Sequence, residues 1–263
     1  MAKLVWGRVG KRLFQTGVDR GVLYPQGGTG VAWDGLTSVT ESPTGGEAKP
    51  LYVDGYKYMN RAGREEMEGS IEAFTYPPEF EACDGTASLG KGLYFGQQRR
   101  KSFDLCYRTQ VGNDLAGTDH GYKLHLIYNA LATPSTKNYA TVGDNPEAIN
   151  FSWSFSTKPV KVSGYRPVPH IIFDSTQSQE SLMIAIEDIL YGSSLVNARM
   201  PTPSEVITLF VGWPEMKITN NGDGTFTVDG PDTVVKILNT TTFEITSSNV
   251  TDNSNGTFTA TSS

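Results

Sequence analysis

The chain is short of the residues on which most enzymes and metalloproteins depend. Across 263 residues it has two cysteines and three histidines. Cys83 and Cys106 could form at most one disulfide. The basic start MAKLVWGRVGKRLF is interrupted by glycine and does not read as a secretory leader, so both are expected to be free thiols in a reducing cytoplasm. His120, His125 and His170 sit in separate segments without metal-ligand spacing. No apolar run approaches the ~18–20 residues of a membrane-spanning helix. Positive charge is also short. With 22 Lys and Arg against 28 Asp and Glu, the net charge of −6 argues against a general nucleic-acid binder held by phosphate contacts.

Catalytic motifs are missing too. There is no G-x-S-x-G elbow. The stretch GTASLGKG matches a phosphate-binding loop at Gly85, Gly90 and Lys91. It places Gly92 where a hydroxyl must reach magnesium, and acidic residues precede it, so it reads as a glycine-rich surface loop. NNGDGTFTVDG lacks the alternating acids and closing glutamate of a calcium loop and reads as a tight turn. No pair of carboxylates stands out from the background. No catalytic, cofactor-binding or metal-binding residue is therefore assigned, no cofactor is expected, and the chain is expected not to be an enzyme.

What the chain does have is turn residues and alternation. The 28 glycines, 14 prolines and many short runs of period two predict a mainly β protein. In EEMEGSIEAFTY, Met67, Ile71 and Ala73 share one face, and Glu66, Glu68, Ser70 and Glu72 the other. Tyr122, Leu124, Leu126 and Tyr128 alternate in the same way, as do Ile149, Phe151, Trp153 and Phe155. Residues 31–42 predict one strand with a bulge at Asp34-Gly35, residues 43–50 a loop, and residues 51–59 a tyrosine-rich strand. One helix is predicted over about 178–191, with Thr176 and Gln179 at capping-box spacing and Gly192 as a stop. SEVITLFVG, near residue 208, is a strand or a helical turn that periodicity does not assign.

The chain divides at residue 213. Residues 1–213 form the main domain with an N-terminal arm, and residues 214–263 a small Thr/Asn/Gly-rich β appendage in which GTFT occurs twice, as two equivalent hairpin strands. Charge is uneven along the main domain. Five basic residues, among them Lys3, Arg8, Lys11 and Arg12, oppose Asp19 alone over residues 1–24. Seven acids oppose two arginines over residues 61–85. Such an arm and such a face could attract each other between copies.

Several stretches resemble the major tail tube proteins of long non-contractile-tailed, siphovirus-type bacteriophages of actinobacteria. They are TGVDRGVLYP with VAWDGLTSVTESPTGGE, YVDGYKYMN, SIEAFTYPPEFEACDG, FDLCYRTQVGNDLAGTDHGYKLHLIYNALATPS, PEAINFSWSFSTKPV and IEDILYG with PTPSEVITLF. The resemblance runs in order over about residues 14–212. It implies a two-sheet β-sandwich with one flanking α-helix, assembling as hexameric rings that stack into a tube. Its partners would be further copies of itself, a tape measure protein in the lumen, and tail terminator and distal tail proteins. DNA would pass without specific binding, and there would be no membrane segment. The location implied is the virion tail, after synthesis in the host cytoplasm. On this reading Glu66, Glu68 and Glu72 are candidate lumen-facing residues, and Lys3, Arg8, Lys11 and Arg12 a candidate inter-ring arm. A surface- or carbohydrate-binding β module is the alternative, motivated by the aromatic content and the Thr/Asn-rich C-terminus. A hydrolase on a β scaffold ranks below both.

Overall fold

The computed structural model describes residues 4–212, apart from 64, 91, 140, 142–147 and 195, and beyond 212 the backbone of six short strands. In chain order the strands are β1 (Phe14–Pro25), β2 (Val31–Ala32), β3 (Leu36–Gly45), β4 (Ala48–Val53), β5 (Tyr56–Ala62) and β6 (Glu65–Ala73). They continue as β7 (Ala87–Gly90), β8 (Leu93–Phe95), β9 (Phe103–Asn113), β10 (Gly117–Ala132), β11 (Phe151–Thr157) and β12 (His170–Asp174). Helices α1 (Glu180–Tyr191) and α2 (Pro203–Gly212) follow. With 47% strand and 13% helix, the protein is mainly β, as its turn-rich alternation predicts.

The predicted two sheets are one antiparallel sheet that folds over on itself. Its order is β2-β1-β9-β10-β11-β6-β3, with β12 also paired to β10. The long strand β10 makes this possible. Residues Lys123–Ile127 pair with β12, whereas Ala130–Ala132 pair with β11. Between them the pairing with β9 shifts register, and Asn129 takes a positive φ of 48°. A strand that bends at such a bulge can leave one layer and enter the next. The bend is braced: Asn129 N donates to Asp104 Oδ1 at 2.6 Å, and Asn129 Nδ2 to the Lys158 carbonyl at 3.3 Å. One layer is thus β2-β1-β9-β10-β12, and the other β11-β6-β3.

Alternation decides what fills each side. Leu23, Phe103, Leu105, Tyr107 and Ile127 turn inward from the first layer and meet Met67, Ile71, Trp153 and Phe155 from the second. Trp33 and Phe80 close this core with tilted rings whose centroids are 4.6 Å apart. Each such side chain removed from water contributes about 1.5–3 kcal/mol. On the far side of the first layer, Tyr24, Cys106, Leu124, Leu126 and Tyr128 pack against Met183, Ile186 and Leu190 of α1 and Val206 of α2. The two cysteines are free, buried and in different cores, Cys83 between the layers and Cys106 under the helices.

Four predicted elements change. Asp34-Gly35 is a turn separating β2 from β3, not a bulge in one strand. Residues 43–59, expected as a loop and one strand, belong to the end of β3 and to the hairpin β4–β5. That hairpin turns at Asp54 and Gly55, with φ of 52° and 83°, the signature of a two-residue primed turn. The glycine-rich stretch after Gly85 is the hairpin β7–β8 rather than a loop. A second helix, α2, occupies the unassigned SEVITLFVG stretch.

The predicted cap at Thr176 is not formed. Thr176 N and Oγ1 both donate to Asp174 Oδ1, at 3.0 and 2.6 Å, and α1 begins after an N-cap Gln179 without a side-chain bond. The capping box stands instead at α2. Glu205 N donates to Thr202 Oγ1 at 3.3 Å, and Thr202 N donates back to Glu205 Oε2 at 2.7 Å.

Beyond residue 212 the strands form three antiparallel hairpins: β13 (Lys217–Asn220) with β14 (Phe226–Asp229), β15 (Val234–Asn239) with β16 (Thr242–Thr246), and β17 (Val250–Asp252) with β18 (Phe258–Ala260). The repeated GTFT leads into the second strand of the first and third hairpins.

Candidate functional site

The predicted acidic strand is β6, and its faces divide as expected. Met67, Ile71 and Ala73 are buried in the inter-layer core. Glu66 and Glu68 are exposed, and Glu72 is half-buried. Gly69 is also inward: a Cβ there would stand 2.3 Å from the Thr40 carbonyl and 2.6 Å from the Phe155 ring. Glycine is what allows Phe155 to lie over the strand.

Register shows what surrounds the glutamates. On β3, Ser38, Ser42 and Thr44 lie opposite Glu72, Glu68 and Glu66, and Thr40 lies opposite Ser70. On β11, Ser152 and Ser156 lie opposite Glu72 and Glu68, and Ser154 opposite Ser70. Antiparallel partners share a face. The outer face of the second layer is therefore a column of acids bordered on both sides by hydroxyls, and none of these paired positions is Lys or Arg. Glu72 is held by Ser38 Oγ at 3.2 Å and Asn150 Nδ2 at 3.4 Å, so its contacts are neutral. The sequence identified the acidic column, but the hydroxyl borders became visible only with register.

The arm residues are placed differently. Lys3 lies outside the described residues. Arg8, Lys11 and Arg12 are exposed on a segment tied to the β9–β10 turn: Gly10 N donates to Asp114 Oδ1 at 2.8 Å, and Arg12 Nε lies 4.0 Å from Asp114 Oδ2. Between the basic residues the arm presents apolar side chains to solvent, with Trp6 81% exposed. The hairpins β4–β5 and β7–β8 also expose apolar groups, including Tyr52, Tyr56, Tyr58, Leu93 and Phe95. Neither hairpin pairs with the main sheet. Large contiguous apolar patches are where soluble proteins commonly contact other molecules.

A second constellation escaped the sequence reading. His125 and His170 project from β10 and β12 toward Glu41, which turns inward from β3. The Glu41 Oε1 oxygen lies 3.2 Å from His125 Nδ1 and 3.3 Å from His170 Nε2, and it accepts a hydrogen bond from the Tyr107 hydroxyl. The His170 contact is close but lacks hydrogen-bond alignment, and His170 Nε2 is buried without a hydrogen-bond partner. His125 Nε2 lies 3.1 Å from Thr109 Oγ1. Tyr107, His125 and His170 are stacked, with centroids 4.6 and 5.6 Å apart. Burial lowers the His170 pKa below its usual value. Burial raises the Glu41 carboxyl, but hydrogen bonds from His125 and Tyr107 outweigh it and hold the pKa low. His120 is elsewhere, against Asn113 at 3.1 Å.

A few other ionic groups are structural. Arg108 grips Asp19 with two bonds of 2.7 Å, and Lys137 and Arg100 converge on buried Asp84. Among the described residues no helix is long and apolar enough to cross a membrane.

No protein-family model and no curated protein matches the chain. Among solved structures it is similar to a chain of the six-fold symmetrised anti-feeding prophage baseplate, at 11% identity over 65% of this chain and 97% of that one, with a TM-score of 0.33. It is also similar to a chain of an extracellular contractile injection system, the PVC sheath-tube complex in its extended state, at 13% identity over 59% and 88% of the two chains, with a TM-score of 0.29.

Proposed function

We propose that this protein is a structural subunit of a phage tail tube, assembling as hexameric rings that stack around a channel for DNA, and that it is not an enzyme. The ordered resemblance of residues 14–212 to siphovirus-type tail tube proteins supports the family. The observation that carries the mechanism is the outer face of β3, β6 and β11. Duplex DNA bears one negative charge per ~1.7 Å, so lysines or arginines along a channel would act as brakes. A face of glutamates bordered by serine and threonine stays hydrated and repels phosphate. Repetition around a ring multiplies its field.

The fold supplies the other requirements. Strands β3 and β12 each leave one edge unpaired, and joining edges between neighbours into a closed barrel removes them. The exposed apolar hairpins and the arm offer contacts between copies. Stacking of rings is a heterologous contact that continues as a filament. On this reading the lumen holds a tape measure protein during assembly, and terminator and distal tail proteins cap the ends.

Electron microscopy of the purified protein tests the proposal. Rings or tubes are expected. Monodisperse monomer at high concentration, with no tubes when other tail proteins are added, would overturn it. The three exposed tyrosines of β4–β5 give the carbohydrate-binding alternative its one specific observation. Glycan-array binding that survives deletion of residues 215–263 would favour that alternative.

A further inference from the structure

Three side chains from three strands converge where the two layers meet, and only one of their contacts, His125 with Glu41, is an aligned hydrogen bond. We propose that Glu41, His125 and His170 form a binding site for one divalent transition-metal ion of the zinc class, through Glu41 Oε1, His125 Nδ1 and His170 Nε2. This inference rests on the geometry of the single chain and is independent of the assembly reading.

The donor set is one carboxylate oxygen and two imidazole nitrogens, all within 4.8 Å of one another. Metal bonds of about 2.0–2.1 Å in a tetrahedral site separate neighbouring ligand atoms by roughly 3.3–3.4 Å. The two measured edges, 3.2 Å from Glu41 Oε1 to His125 Nδ1 and 3.3 Å to His170 Nε2, are close to that spacing. Three protein ligands leave a fourth position for water, as open zinc sites do. Glu41 keeps 28% of its side-chain surface exposed, which gives solvent and ion an approach.

The surroundings match those of a ligand set. In the metal-free site His125 Nδ1 donates to Glu41 Oε1, so Nε2 accepts from Thr109 Oγ1 at 3.1 Å; an ion taking Nδ1 displaces that proton, and Nε2, protonated instead, then donates to the Thr109 hydroxyl. The Tyr107 hydroxyl fixes the glutamate. His170 Nε2 is buried with no hydrogen-bond partner, and an ion would satisfy it. Imidazole with carboxylate suits zinc, cobalt, nickel and copper rather than magnesium or calcium, which take all-oxygen shells. One adjustment is required. The imidazole planes lie 13° apart in a face-to-face stack, so an ion in the plane of both needs one ring to turn. His170 is the ring that can do so, because its Nε2 has no hydrogen bond to lose.

The test uses untagged full-length protein stripped with a chelator and titrated with cobalt(II), then with zinc. The expected result is one equivalent of cobalt with the visible absorption of a tetrahedral site, displaced by zinc, and a melting temperature raised by zinc but not by magnesium. Thr109→Val, which keeps every ligand, should weaken binding about 10–100-fold. His170→Gln should abolish the cobalt signal while the metal-free circular dichroism spectrum stays unchanged. Absence of a one-equivalent tetrahedral signal in the wild type overturns the proposal. So does binding that persists unchanged in both His170→Gln and Glu41→Gln, since the ion would then be held elsewhere. The wild-type titration decides the matter even if a variant fails to fold.

Discussion

Gly69 shows how much one missing atom can matter. Its α-carbon lies beneath the Phe155 ring and against the Thr40 backbone. Gly69→Ala should destabilise the protein by about 1–3 kcal/mol, the usual cost of overpacking, as measured by urea denaturation. Asp19 makes a pH-dependent contribution. The paired bonds from Arg108 hold its carboxyl below the ordinary carboxylate value, with burial opposing and Gln110 assisting. A depressed carboxyl stabilises the fold above its unfolded value of about 4, and that stability is lost as pH falls through the lower folded value. Asp19→Asn should therefore cost about 1 kcal/mol near neutral pH, a modest figure because the pair is partly exposed and screened. The variant should also lose less stability than wild type between pH 4 and pH 2, seen as a flatter acid limb in thermal melts. Neither residue could be recognised from the sequence. A glycine in an alternating run and an aspartate in a loop-like stretch acquire their roles only from the strands that pair beside them.

At the scale of elements, local chemistry was legible and its choice between near-equivalent outcomes was not. The faces of β6, β10 and β11 follow directly from period two, since burial of one face is decided along a single strand. Asp-Gly pairs were ambiguous because a bulge and a tight hairpin turn both ask for positive φ. At Asp34 a turn interrupts the chain and at Asp54 it reverses, and the expected continuous strands become two. The capping signal was ambiguous in the same way. Thr176 and Thr202 both precede a Glu or Gln by three residues, yet Thr176 is captured by Asp174, which leaves only Thr202 to cap a helix. Thr202→Ala should accordingly cost about 1 kcal/mol of stability and fray the start of α2, measurable by hydrogen exchange at residues 204–206. The Glu41–His125–His170 cluster lay beyond local reading altogether. Glu41 and His125 are 84 residues apart, and only strand order brings them together.

At the scale of the whole molecule, the predictions concern assembly. Removing residues 214–263 should leave rings intact if the appendage decorates the exterior, and loss of rings in micrographs of the truncated protein would refute that placement. Removing residues 1–15 should shorten tubes if the arm bridges rings, checked by length distributions against full-length protein. Glu66→Lys, Glu68→Lys and Glu72→Lys combined should preserve assembly and slow DNA release from complemented particles. Release at the wild-type rate would move the acidic column off the channel wall.

The strand β10 has a mechanical meaning as well. In many sandwiches the chain passes between layers through loops, and the layers themselves meet through side-chain packing. Here the same stretch of backbone runs from one layer into the other through the bend at Asn129. Peeling the layers apart puts β10 itself under tension. The two layers are stitched by a covalent thread at that bend, so separating them requires β10 to straighten or its pairing with β11 or β12 to break.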